Sequence, residues 1–556
     1  MTATAAPPTP TPAAPTTVRA GPLAGTTLLA RFVLRRDRIR LPLWVGAILL
    51  FLVGSAASLP TQYADAAERQ ARAALVDNPG VRAFTGPGFG LDDYTFGAII
   101  VQELFGYTAI LVALMVILLT VRHTRAEEET GRAELVRAAA VGRHAHLAAV
   151  LLVVGAASLL TGGLIALGLG SLGLEDVDWA SSWLLGAAVA SIGLVFTAVT
   201  AVTVQVSAYA RGASGLAAAA FAVAYLLRAA GDATQIGGGT WSWLSPIGWA
   251  QQTRAYVDNR WWPLLLSLAL TVLLVAAAAW LTGRRDLAAG LMPPRPGPAT
   301  AHWLLSSPLG LGWRLHRTSL SWWATALLLF GLAYGSITAE IETFVAELVV
   351  LEEWMAEIGG QTLLDAFFAV IILLLAIIVT IFAVPTVLRL RSEETGRRAE
   401  PVLATATSRT RWAASHLTIA LAGSAVLLLT AALGLGLSAA AALGDPSVLP
   451  RLLGAALAHV PAIWLIVGLA LALFGLIPRA VTLVWVVVAY SATIGYFGDF
   501  LGLPDWTATL SPFAHIPLLP AEPFTATPIV AMTFTAAALI AAGLAALRRR
   551  DLTTPA

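Results

Sequence analysis

Residues 128–143 read EETGRAELVRAAAVGR, and residues 393–409 read EETGRRAEPVLATATSR. The two stretches start 265 residues apart, and the second carries one extra residue. Trp243-Leu244-Ser245-Pro246-Ile247 returns as Thr509-Leu510-Ser511-Pro512-Phe513 at a shift of 266. Arg284-Arg285-Asp286-Leu287 returns as Arg549-Arg550-Asp551-Leu552, again at 265. Three motifs kept in order and spacing over so long a gap mark a tandem duplication.

Composition says where such a duplicated unit lives. Of 556 residues 58% are hydrophobic and 12% charged, about half the charge of an ordinary soluble domain (roughly 25%). There is no cysteine, which excludes disulfides, thiol catalysis and cysteine metal sites. All 34 basic residues are arginine. Without lysine the chain has no P-loop, whose lysine reaches the terminal phosphates, so any ATP that drives it is bound by another polypeptide.

Apolar runs near 41–59, 97–121, 147–170, 182–208, 214–230, 262–282, 321–339, 366–388, 413–441, 450–476, 480–498 and 527–547 are long enough to cross a bilayer, which takes about 20 residues. Backbone groups in lipid must be satisfied within their own segment, so these runs are helices. The expected fold is an all-α polytopic membrane protein of about twelve spans, six per copy. An even number of spans makes the copies parallel repeats about an axis along the membrane normal. With the N-terminus inside, the inner segments hold 27 arginines and 10 acidic residues, and the outer ones 7 and 21, counting Arg228 and Arg451 at the outer ends of the runs 214–230 and 450–476. Excess arginine marks the cytoplasmic side, so both termini are expected there and the chain in the cell membrane.

The expected division is a disordered Ala/Pro/Thr-rich tail at 1–18, a first membrane unit at 19–290, a cytoplasmic linker at 291–305 around MPPRPGPA, and a second unit at 306–556. The tail has no basic start followed by an apolar core, so it does not read as a signal peptide. In 23–40, Leu28, Leu29, Phe32 and Val33 alternate with arginines at helical spacing and predict an interfacial amphipathic helix before the first span. LGLGWRLHRTSL (309–320) is its counterpart in the second unit. Outer segments are expected at 60–96, 231–261, 340–365 and 499–526. Of these, 340–365 reads as an amphipathic helix at the outer interface, and Trp261-Trp262 as an aromatic anchor.

The repeated charged loop between spans two and three is the strongest candidate site. Glu128 and Arg132, and Glu393 and Arg397, are four apart and can pair on a helix face. Thr130-Gly131 and Thr395-Gly396 open a short helix with Glu134 or Glu400 in its first turn. One copy alone reads equally well as a self-neutralising surface helix; two copies in equivalent loops predict a repeated docking surface. Glu129 and Glu394 complete each acidic pair. Within the spans only Glu103, preceded by Gln102, is clearly acidic, and an intramembrane acid is a candidate for a transport path. The histidines form no metal-ligand pattern, no catalytic triad stands out, and basic loops beside an anionic leaflet need no nucleic acid to explain them.

The segment E-E-x-G-x-x-E between spans two and three resembles the coupling helix of type-2 ABC exporter permeases, which rests in a groove of the ATPase subunit. Leu-Ser-Pro before the sixth span and Arg-Arg-Asp-Leu after it also look like that family. The fused two-unit form resembles the actinobacterial tetronasin-resistance and polyketide-antibiotic exporter permeases, over residues 20–556. Ala139-Ala140-Val141 departs from the pattern, since many relatives carry proline there. The resemblance implies an exporter subunit without its own nucleotide site, a cytoplasmic ATPase in two copies holding ATP and Mg, and lipophilic or amphipathic cargo such as drugs. The alternative is a proton-coupled twelve-helix secondary transporter, which shares the parallel halves but needs titratable groups near the midplane.

Overall fold

The computed structural model describes residues 21–63, 65–76, 79–139, 141–286, 289–292, 299–339, 363–497 and 505–551. They fold as two compact units, divided between Pro296 and Gly297, inside the proline-rich stretch. Both are all-helical.

The first unit opens with α1 (Thr26–Arg36). Leu29 and Val33 are buried, Leu29 against Ala145 and Ala149, while Leu28 and Phe32 point outward, so the predicted apolar set serves two faces. Span one is α2 (Arg40–Gln62). Short helices α3 (Ala66–Val76) and α4 (Pro79–Thr85) follow. Span two runs through Phe96–Ile99 and a π-helical turn, Ile100–Leu104, into α5 (Phe105–Arg122). The charged loop contributes α6 (Arg125–Glu129) and α7 (Arg132–Arg137). Spans three to six are α8 (Ala145–Gly170), α9 (Trp179–Val206), α10 (Ala210–Thr234) and α12 (Pro263–Thr282), with the short α11 (Pro246–Gln251) before the last.

The second unit repeats the order: α13 (Pro308–Ser336), α14 (Leu363–Thr395), α15 (Ala399–Leu403), α16 (Arg409–Leu443), α17 (Val448–Leu476), α18 (Val484–Phe497) and α19 (Ala526–Arg549). A helix therefore stands at each of the twelve predicted places. Ten of them, among the described residues, are long and apolar enough to cross a membrane. The other two are α13, 29 residues long but diluted by serine, glycine and tryptophan, and α18, which is short and apolar. Pro478 supplies no backbone N–H, and α17 ends at Leu476, two residues before it. Residues 1–18, residues 293–298 of the predicted linker, and nearly all of the predicted outer helix at 340–365 lie outside the described residues.

The layering recurs as well. Span four is 72% buried in both copies, whereas span six is 11% and 17% buried. Spans two and four thus form the inner layer of each unit, and span six lies against span four. Small residues permit the closest approaches. A Cβ on Gly162 would sit 2.2 Å from the carbonyl oxygen of Gly186, and one on Gly434 2.4 Å from that of Leu328. Backbone contact of this kind is how apolar helices gain packing where the surroundings are equally apolar.

One difference between the copies appears at the start. The lead-in helix breaks at Asp37–Ile39 in the first unit, but runs unbroken into the span in the second. Asp37 is buried, hydrogen-bonded to His123 and ion-paired with Arg122 (3.3 Å), both at the end of span two, which draws the chain out of helical register.

Candidate functional site: the repeated charged loops

In the first unit span two continues past Arg122 into α6, and Gly131, at φ +71°, then turns the chain left-handed before α7. Nothing lies within 4 Å of where its side chain would be, so the glycine serves conformation alone. This turn corrects the expected Glu128–Arg132 pair. Glu128 instead pairs with Arg125 (2.7 Å) and, through both carboxylate oxygens, with Arg285 (2.6 and 2.8 Å). All three side chains are nearly fully buried.

Arg125 donates its Nε–H to the carbonyl of Val204 (3.1 Å), and Arg285 donates to the Gln205 carboxamide; both acceptors lie in the last turn of span four. Glu129 accepts the backbone N–H of Ala210 (2.7 Å), where span five begins. Glu127 meets Arg36 of the lead-in helix. Beyond this buried root, Arg132, Glu134 and Leu135 stand exposed, with Leu135 at 77%.

The second loop keeps the plan and changes the partners. The left-handed residue is now Arg397 (φ +56°), next to Gly396, at the position of the extra residue. The expected Glu393–Arg397 pair is therefore not made. Glu393 pairs with Arg389 and Arg398 (3.2 Å each), and Glu394 with Arg550 (2.6 Å). The Arg550 guanidinium also stands 4.8 Å over the ring of Phe474, near the end of span four. Thr395 donates its hydroxyl to Arg391 O (2.9 Å), as Thr130 does to Ala126 O (3.1 Å). Glu400 is exposed, like Glu134.

In both units, then, an arginine just after span six reaches a glutamate of the loop between spans two and three, beside the end of span four. Sequence reasoning saw Glu-Glu-Thr-Gly and Arg-Arg-Asp-Leu repeat separately and did not join them. Their common shift of 265 was the available signal that they move together. The third repeated motif is a turn: Ser245 caps α11 by accepting the N–H groups of Ile247 and Gly248, while Ser511 precedes a 3₁₀ turn at Pro512–His515.

Gln102 and Glu103 sit in the π-helical turn of span two. Arg72 of α3 grips Glu103 with two hydrogen bonds (3.0 and 2.9 Å), and the Tyr94 hydroxyl donates a third (3.2 Å). Burial works against the charged Arg72, yet the bonds to Glu103 outweigh it and hold its pKa above the usual range. Burial and Glu103 together push the Tyr94 phenol up. Gln102 accepts the N–H of Gly88 (2.9 Å) and donates to Thr85 (3.1 Å). Both side chains bind the segment 66–95 to the span. No group of three potential metal ligands occurs among the described residues.

Two comparisons bear on this architecture. The family described as "Multidrug efflux system permease Rv1217c, C-terminal domain" matches at residues 30–281 and again at 305–548, one match per unit. The multidrug efflux system permease protein Rv1217c of Mycobacterium tuberculosis is 43% identical over 541 residues, covering 96% of each chain.

Proposed function

Since the chain belongs to the multidrug efflux system permease family, we propose that it is the membrane subunit of an ABC-type exporter and carries lipophilic or amphipathic compounds out of the cell, powered by a separate ATPase seated on its two charged loops. The chain is a transport subunit, not an enzyme. ATP and Mg belong to the partner, because the lysine-free sequence offers no P-loop. Two loops imply two ATPase copies. The arginine distribution supports a cytoplasmic position for the loops and both termini.

One observation carries the reading. Each loop has a root fixed by ion pairs to the end of span six and beside span four, and a bare tip at Glu134-Leu135 or Glu400. A tip free to meet a partner, on a root that cannot move without the spans, is a lever. Closure of the ATPase would shift the tips, and the arginines after span six would pass the shift to the span that lies against span four. The first unit adds a direct hold on span four through Gln205 and Val204.

The test is reconstitution. Alone, the purified chain should hydrolyse no ATP. With its cognate ATPase it should run in native mass spectrometry as one chain with two ATPases, and cells expressing the pair should tolerate lipophilic drugs better. A stable one-to-one complex, or none, would overturn the two-loop docking. Unchanged drug tolerance with the complex assembled would point to a lipid or endogenous metabolite as cargo.

A further inference from the structure

A crevice of about 620 Å³ opens on the first unit between spans one and two. Leu43, Trp44 and Ala47 on α2 and Leu118 on α5 line its length, and Arg40 and Arg122 stand together at one end. Positions 40, 43, 44 and 47 share one helical face, and 118 and 122 another. The lining is hydrocarbon above and guanidinium below. Its volume falls within the ~300–1,000 Å³ typical of small-molecule sites.

The charge at the lower end is not neutralised. Arg40 is exposed and takes part in no ion pair among the described residues. Among the described residues Arg122 pairs with Asp37 alone (3.3 Å), a carboxylate it shares with His123. In the nearby lead-in segment Arg31, Arg35 and Arg38 are exposed and form no ion pair among the described residues. Ile39 and Leu43 beside them are large apolar side chains left exposed, at 71% and 70%. Trp44 stands where an interfacial aromatic belongs, at the boundary between headgroups and chains.

We infer that this crevice binds one anionic phospholipid, its acyl chain along Leu43, Ala47 and Leu118 and its phosphate between Arg40 and Arg122. An apolar slot with paired guanidinium groups at the headgroup level matches a chain joined to an anion. The same arginines repel a lipophilic cation, which separates this site from a port for cationic cargo. Occupancy would brace the hinge at Asp37–Ile39, where the lead-in helix meets the first span.

The full chain, purified in detergent with equal phosphatidylglycerol and phosphatidylethanolamine, is examined by native mass spectrometry. Phosphatidylglycerol should be retained preferentially. Arg40→Gln should cut that preference about five-fold, as expected for one arginine near an anionic surface. Ala47→Phe should expel both lipids by filling the slot. Arg411→Gln, an exposed arginine of the second unit, should change neither, and unaltered thermal unfolding of each variant shows that the fold is intact. Equal retention of both lipids by the unaltered chain, or full retention in Arg40→Gln and Ala47→Phe, overturns the assignment. Displacement by millimolar glycerol phosphate would show a phosphate site without a chain, and displacement by tetraphenylphosphonium would show a cargo port; either also overturns it.

Discussion

The two charged loops descend from one sequence and solve the same problem with different atoms. In the first unit Glu128 sits between two buried arginines and Glu129 caps the start of span five. In the second, Glu393 is shared by Arg389 and the exposed Arg398, and the neighbouring Glu394 takes the arginine after span six. The acid that meets that arginine has slid by one position. What both copies keep is the tie between loop and last span, not any particular ion pair. Both copies bury their acids, but in the second one of the arginines on Glu393, Arg398, stands in water.

The sharpest break of this comparison is removal of the central acid. Glu128→Ala leaves Arg125 and Arg285 buried face to face, and breaking a buried pair costs roughly 3–5 kcal/mol. Glu393→Ala frees Arg398, whose side chain is 62% exposed, and should cost about 1 kcal/mol or less. Thermal unfolding of the purified chain should separate the two clearly. Equal shifts would mean that the two roots are energetically alike.

Next come the tips. Glu134→Arg and Glu400→Arg should leave the unfolding midpoint unchanged, because both side chains are exposed. Docking of the ATPase should weaken, by roughly 2–5 kcal/mol where an interfacial charge pair is lost. Co-purification and cargo-stimulated ATP hydrolysis should fall in each single variant and fail in the double. A double variant that docks and couples normally would reduce the loops to decorated turns.

The arginines after span six give a finer contrast. Arg285→Ala and Arg550→Ala each remove a charge-assisted contact worth ~1.5–3 kcal/mol, and both should lower coupling more than docking. Lysine should rescue position 550, where one nitrogen meets Glu394, better than position 285, where a guanidinium fork spans Glu128 and reaches Gln205. Equal rescue in coupled ATPase assays would deny that the two ties differ in kind.

The smallest effect concerns the turn. Gly131→Ala places a Cβ at a left-handed residue and should cost about 1–2 kcal/mol. Arg397→Gly relieves the same strain but loosens the unfolded chain, so its midpoint should barely move. Equal and opposite shifts would show that unfolded-state entropy plays no part here.

Much of this was legible in the sequence. Hydropathy placed a helix at each of twelve positions because length and apolarity act locally, and the 265-residue shift disclosed the duplication. The partners of the loop glutamates were not legible. Glu128 meets Arg285 across 157 residues, and no local rule connects them. The rule that was applied, pairing at four-residue spacing, failed because Gly131 leaves the helical region between its expected partners and Arg397, itself one of the second pair, leaves it too. Asp37 broke the first lead-in helix for a similar reason: its partners, His123 and Arg122, are distant in the chain.

The π-helical turn at Ile100–Leu104 has a geometric corollary. One residue more than an α-helix needs is wound into the span there, so the residues before and after it are out of phase by about 100°, the rotation of a single helical step. Glu103 can thus face Arg72 while Met115 and Val116 below keep their inward bearing. Cutting one residue from the turn would restore a regular screw and swing Glu103 off its arginine. The bulge works as a vernier, setting the azimuth of the outer end of the helix independently of its buried shaft.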